Sequence, residues 1–253
     1  MSSRPAQHEP QAFDFDSVLD RRGTWSLKYD RAGRGKPEDV LPLWVADMDF
    51  AAPEAVQYAL GCVLEHGIYG YSVPDERYYN SVQHWFETRH NWSPQPPRPV
   101  LTPGVVTAIY LAIRACTEPG DAVLIQQPVY RPFEGAVRDL ERRLVVNELL
   151  QDAPGAAYRI DFEAFERQVR ESQVRLFVLC SPHNPVGRVW RRDELERMGE
   201  ICQRHGVIIF SDEIHQDLVF GEHHHTVFSS LNDELANISL IATSPSKTFN
   251  LAG

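Results

Sequence analysis

Cysteine is sparse in this chain, and no two cysteines stand close enough to act as a pair. Cys62, Cys116, Cys180 and Cys202 are widely spaced, so there is neither a zinc knuckle nor a CxxC redox motif. Cys62, Cys116 and Cys180 have apolar neighbours, and all four are expected to be buried, reduced thiols. Positive charge is also short: 25 Lys and Arg stand against 35 Asp and Glu, a net charge of −10. Nucleic acid is therefore not an expected partner. No apolar run reaches the length of a membrane span, so no membrane association is expected. Residues 1–10 are polar and lack the apolar heart of a signal peptide, which makes the cytoplasm the expected compartment. Internal repeats and low-complexity tracts are absent. The run His223-His224-His225 is no metal signal, because three consecutive side chains cannot converge on one ion from regular structure; a solvated loop is expected there.

The remaining composition is that of an ordinary globular protein. Hydrophobic residues make up 43% and charged residues 24% of 253 positions, enough for one large domain or one domain with an appendage. Residues 1–35 read as a polar leader with a short amphipathic piece at 13–19. Residues 41–50 (LPLWVADMDF) read as a strand-like run entering a loop. Helices are expected over 54–66, with Pro53 at the first turn, and over 74–90, with Tyr78, Val82, Trp85 and Phe86 on its apolar face. Pro94, Pro96, Pro97 and Pro99 mark an extended linker.

From Val100 the pattern becomes an alternation of short apolar runs and helical stretches. Strands are expected at 122–126, 144–146, 176–180, 207–210 and 238–243, with a further strand-like run at 218–220. Helices are expected at about 105–116, 133–140, 161–170 and 193–205, with Asp161 as an N-cap and Gly206 just past a helix end. Continuous apolar strands separated by helices predict an α/β fold: a mainly parallel, mixed sheet with helices on both faces. In such sheets ligands sit beyond the carboxyl ends of the strands.

Those ends carry polar chemistry. After successive strands come Tyr130, then Ser181-Pro182-His183-Asn184-Pro185, then Asp212 and His215, then Ser244-Pro245-Ser246-Lys247. Singly, each has a bland reading as a turn former, cap, packed ring or solvated lysine. Gathered at one sheet edge, they read as a site. An amine and an acid delivered by two strand ends, with hydroxyls beside the amine, are the parts a pyridoxal 5'-phosphate site needs.

These motifs give the chain a resemblance. Over residues 13–253 it resembles the fold-type-I pyridoxal phosphate enzymes of the class I/II aminotransferase superfamily. Ser181, Asn184, Pro185 and Gly187 fit the superfamily pattern Ser-x-x-Asn-Pro-x-Gly. The narrower stretches Asp20-Arg21-Arg22-Gly23-Thr24-Trp25, Val45-Ala46-Asp47-Met48-Asp49-Phe50, Gly70-Tyr71-Ser72 and Ser211-Asp212-Glu213-Ile214-His215 look most like the bacterial cystathionine β-lyase and cysteine-S-conjugate β-lyase branch.

The resemblance implies a role for each residue. Lys247 would hold pyridoxal 5'-phosphate covalently and, once freed by substrate, take the Cα proton. Asp212 would face the pyridine nitrogen and keep it protonated. Asn184 would donate to the phenolic oxygen, with His215 standing where many aminotransferases carry a tyrosine. Tyr130 would lie against the ring. The phosphate would take the amides of Val105 and Val106 at a helix start, the hydroxyls of Ser244 and Ser246, and Tyr71 from a neighbouring subunit. A homodimer with shared active sites, acting on a small-molecule sulfur amino acid, is what this implies.

The implied organisation is an N-terminal segment, 1–40, and a cofactor-binding large domain, 41–253. The family's small C-terminal domain, and the arginine that grips the substrate carboxylate, are expected to lie beyond Gly253. Uncovered core surface is then expected to lower solubility or stability. The implied activity is β-elimination from cystathionine or a cysteine S-conjugate to thiol, pyruvate and ammonia. An aminotransferase, or a non-catalytic cofactor-binding or regulatory protein, is the alternative.

Overall fold

The computed structural model describes residues 14–31, 35–37, 39–96 and 98–253. The leader reading over residues 1–13, with Phe13 of the amphipathic piece, and Pro97 of the proline run lie outside the described residues. The chain forms two compact units, one of Met1–Tyr71 with Pro245–Gly253, the other of Ser72–Ser244.

The second unit is an α/β sandwich. It begins with α2 (Glu76–His90), which follows α1 (Glu54–His66) of the other unit, and continues through α3 (Val105–Cys116), β1 (Ala122–Gln127), α4 (Pro132–Asp139) and β2 (Arg143–Glu148). Then come α5 (Phe162–Glu171), β3 (Val174–Cys180), α6 (Arg192–Arg204), β4 (Ile208–Asp212), α7 (Asp233–Ala236) and β5 (Ser239–Ala242). The five strands pair in the order β2-β1-β3-β4-β5, and every ladder is parallel. The expected antiparallel component is limited to isolated bridges, Leu150 with Arg159 and His183 with Arg188.

Strand β3 shows why the sheet is covered twice. Leu176 and Val178 face a core with Ile109, Ile113, Phe133 and Val137 from α3 and α4. Phe177 and Leu179 face the other core, with Phe165, Leu195, Met198 and Ile201 from α5 and α6. Successive residues point to opposite faces, so a strand buried on both sides must be apolar at every position. Asp161 caps α5, accepting from the Ala164 amide at 3.0 Å, and Asp75 caps α2 through the Arg77 and Tyr78 amides, so that the helix starts at Glu76, two residues after the expected Pro74. Phe86 is the buried member of the α2 stripe, whereas Tyr78 is exposed.

The first unit holds a π-turn at Leu27–Arg31, α1 (Glu54–His66) and the short α8 (Pro245–Thr248). Helix α1 closes on Gly67 in the left-handed region at φ 70, a conformation glycine adopts at no steric cost. No residue of α1 is buried.

Three expectations are corrected. Residues 41–50 form no strand; Pro42 removes a donor, and the Met48 amide and carbonyl are bonded by the Asn250 side chain instead of a ladder. Residues 218–220 are irregular as well, with Phe220 exposed beside Gly221. The cysteines are all free, but only Cys180 and Cys202 are buried; Cys62 is exposed and Cys116 intermediate. Cys62 lies on α1 (Glu54–His66), a helix with no buried residue.

Candidate active site

Because all strands run in parallel, their carboxyl ends share one edge. Register places Cys180, Asp212 and Ala242 side by side at that edge. The strand bearing Asp212 is longer than sequence indicated: Ser211 and Asp212 are its last two residues. Asp212 is buried, and its Oδ1 accepts the Ile214 amide at 3.1 Å, which turns the chain away from the sheet and sets His215 in the following turn. Tyr130 follows β1 and meets Phe133 edge-on at 6.4 Å.

The loop after β3 is anchored at several points. The Asn184 amide donates to Cys180 Sγ at 3.4 Å. His183 Nε2 lies 2.9 Å from the Pro128 carbonyl, and its ring meets Trp190 edge-on at 5.4 Å. Burial holds the His183 imidazole down to about 4, so it stays neutral near pH 7. Burial, with the Asp212 charge adding to it, pushes the Cys180 thiol up, making it an inert packing group rather than a nucleophile. The Asn184 backbone is thereby pinned to the sheet edge that bears Asp212.

The start of α3 supplies an anion cradle. Gly104 stands at φ 91, and as a glycine it offers no side chain to cap the helix. The amides of Val105 and Val106 therefore open the helix as donors for an external acceptor, with the helix dipole behind them. Uncapped amides, an acid at a strand end and an asparagine on a pinned loop suit an anionic heterocycle, and this donor set fits pyridoxal 5'-phosphate. Ser244 is the last residue of this unit.

Lys247, Ser246 and Tyr71 belong to the other unit. Lys247 sits on α8, and its Nζ donates to the Ala46 carbonyl at 2.6 Å. Tyr71 is fully exposed.

Two clusters escaped sequence reasoning. In the second unit, Glu213 is wholly buried and accepts from Ser211 Oγ at 2.8 Å and the Phe228 amide at 2.9 Å, with His225 Nε2 at 2.8 Å. The His225 ring meets His90 edge-on at 5.7 Å. His90 Nε2 in turn lies 2.9 Å from Asp217, which also accepts from Trp85 Nε1. The solvated-loop reading therefore holds for His223 and His224 and fails for His225, whose side chain is only 1% exposed. In the first unit, Arg21 bonds Asp47 through both terminal nitrogens, at 3.1 and 2.8 Å, and Asp49 at 2.7 Å. Lys28 adds a bond to Asp49 at 2.8 Å. The Arg21 hydrogen bond holds the Asp47 carboxyl below its ordinary value. Residue spacing announces neither cluster, since, Ser211 apart, the hydrogen-bonded partners lie 12 to 132 residues apart in one and 19 to 28 in the other.

Comparison with known proteins gives the same direction. The chain is 48% identical over 241 residues to cystathionine beta-lyase PatB of Bacillus subtilis, matching 95% of this chain and 62% of that protein. It superposes with a TM-score of 0.90 and 40% identity on cystalysin of Treponema denticola, whose crystal structure contains a pyridoxal 5'-phosphate cofactor, covering 96% of this chain and 62% of that one. A pyridoxal phosphate-bound C-S lyase of Staphylococcus hominis matches with a TM-score of 0.87 and 31% identity, over 96% of this chain and 62% of that one. The chain thus spans about three fifths of the length of these relatives. The profile of aminotransferase class I and II matches residues 49–253, and with this fold and this sheet edge the chain belongs to that family.

Proposed function

We propose that this chain is the cofactor-binding part of a pyridoxal 5'-phosphate-dependent carbon–sulfur β-lyase, working as a cytoplasmic homodimer. The observation that carries the reading is Asp212, a buried acid at the carboxyl end of a central parallel strand, in a chain similar along nearly its whole length to a named cystathionine β-lyase. No helix among the described residues is long and apolar enough to cross a membrane.

In this reading the cofactor supplies an electron sink for the carbanion at the substrate Cα. Lys247 would hold the cofactor and its Nζ would take the Cα proton. Asp212 would present negative charge to the ring nitrogen, and Asn184 and His215 would serve the phenolic oxygen. Tyr130 would pack against the ring. Val105 and Val106 donate amides to the phosphate, and Ser244 and Ser246 add hydroxyls. Tyr71 completes the phosphate site of a neighbouring subunit. Its full exposure leaves the ring available for that contact. The 1–40 segment and the 41–253 large domain are the functional divisions we assign.

The full-length gene product, incubated with L-cystathionine and pyridoxal 5'-phosphate, is expected to release thiol and pyruvate in equal amounts. Transfer of the amino group to a keto acid, with no thiol released, would make the protein an aminotransferase instead.

A further inference from the structure

Lys247 is held within its own unit by a set of contacts that the proposed chemistry does not use. Its amine donates to the Ala46 carbonyl across 201 residues of sequence. The carbonyl begins the segment Ala46-Asp47-Met48-Asp49-Phe50, which has no regular structure of its own. Something else must fix it, and Asn250 does so.

Asn250 Oδ1 accepts from the Met48 amide at 3.0 Å. Its Nδ2 donates to the Met48 carbonyl at 3.0 Å and to the Phe50 carbonyl at 3.3 Å. One side chain thus occupies the donor and acceptor of one residue and the acceptor of another. Asn250 also terminates the helix that bears Lys247. Its backbone is left-handed at φ 57, a conformation asparagine tolerates better than most residues. The Leu251 amide returns to the Ser246 carbonyl at 2.9 Å, the longer bond of a Schellman closure. Lys247 and Asn250 are therefore locked one turn apart, and both reach the same segment. The charged bonds of Arg21 and Lys28 to Asp47 and Asp49 also hold that segment.

We propose that Asn250 is a positioning residue for Lys247: by clamping Met48 and Phe50 it fixes the Ala46 carbonyl as a resting place for the Lys247 amine. Its meaning for catalysis rests on Lys247 being the cofactor lysine. An amine freed from the cofactor then returns to a defined acceptor instead of sampling its many rotamers, which shortens the search on each turnover.

The test needs no cofactor. The chain has three lysines, Lys28, Lys36 and Lys247. Lys36 is exposed and serves as the internal reference, while Lys28 is buried. Competitive acetylation with limiting acetic anhydride, read by peptide mass spectrometry, compares the three. Asn250→Gly keeps the left-handed backbone and removes the amide. It is expected to raise Lys247 reactivity relative to Lys36 by about fivefold, the change one net hydrogen bond is worth, with Lys28 still protected. Asn250→Asp keeps the acceptor for Met48, loses both donations, and is expected to fall between Asn250→Gly and the native chain. Unchanged Lys247 reactivity in Asn250→Gly overturns the proposal. So does a parallel rise at Lys28, which would mean general loosening of the unit. Either result leaves the cofactor reading standing, because acetylation does not involve pyridoxal phosphate.

Discussion

Asp212→Asn is expected to slow the proposed thiol release from L-cystathionine by about 10²–10³-fold in the full-length protein, the loss typical of removing one preorganised electrostatic partner. The substitution is chosen because it separates charge from shape. An asparagine side chain has nearly the same size, and its Oδ1 can still accept the Ile214 amide that Asp212 Oδ1 accepts at 3.1 Å. The turn that sets His215 is then preserved, and far-UV circular dichroism should match the native protein. What disappears is the negative charge at a buried strand end. A protonated ring nitrogen is what makes the cofactor's heterocycle electron-withdrawing, and only an ionised partner at that position favours the proton. The loss should fall on kcat, with KM little changed, because the charge acts on the bond-breaking step. A variant within about threefold of the native rate, far less than an electrostatic partner is worth, would mean that Asp212 serves the turn alone.

Glu213→Ala should destabilise the second unit by about 3–5 kcal/mol, a large share of an ordinary domain's stability. The carboxylate is wholly buried and meets a hydroxyl, a backbone amide and an imidazole. Truncation strands all three in an apolar interior, and each unsatisfied group costs about 1–3 kcal/mol. The damage is local to the joint between β4 and the 3-10 turn Phe228–Ser230, which packs in the same core as Leu195 and Met198. Urea denaturation should show a midpoint lowered by about 1 M or more, given slopes of 1–3 kcal/mol/M for domains of this kind. A midpoint within a few tenths of a molar of the native value would show that the network is not a structural joint.

The two replacements differ by one position in sequence and in everything physical. Asp212 ends β4 at the carboxyl edge of the sheet, whereas the Glu213 carboxylate meets Ser211, His225 and Phe228 in the interior. Alternation along an extended chain explains the difference. Local pattern alone does not assign which of two adjacent acids is which.

Much of the fold was legible for a simple reason. Strands buried on both faces must be apolar throughout, and Ala122–Gln127 and Val174–Cys180 are nearly so. Helix stops were legible where a cap names itself, as at Asp161 and Gly206. The sheet edge followed from direction: once the strands are parallel, Tyr130, Asn184, Asp212 and Ser244 must emerge together. Residues 41–50 misled because apolar content imitates a strand, while the strand-forming condition, a partner ladder, is not encoded locally. His225 misled because its neighbours His223 and His224 are solvated and its own partner is a carboxylate twelve residues earlier. The Asn250 clamp spans 202 residues, a separation at which no periodicity or spacing rule operates.

The account depends above all on a covalent cofactor at one amine. The protein is incubated with pyridoxal 5'-phosphate, reduced with borohydride, digested and mapped by mass spectrometry. Within this chain Lys28, Lys36 and Lys247 are three distinguishable addresses. The account predicts the phosphopyridoxyl group on the peptide containing Lys247, absent from Lys247→Ala, with Lys28 and Lys36 essentially unmodified. Label spread over Lys36 and Lys247 alike, or label that persists unchanged in Lys247→Ala, would contradict it.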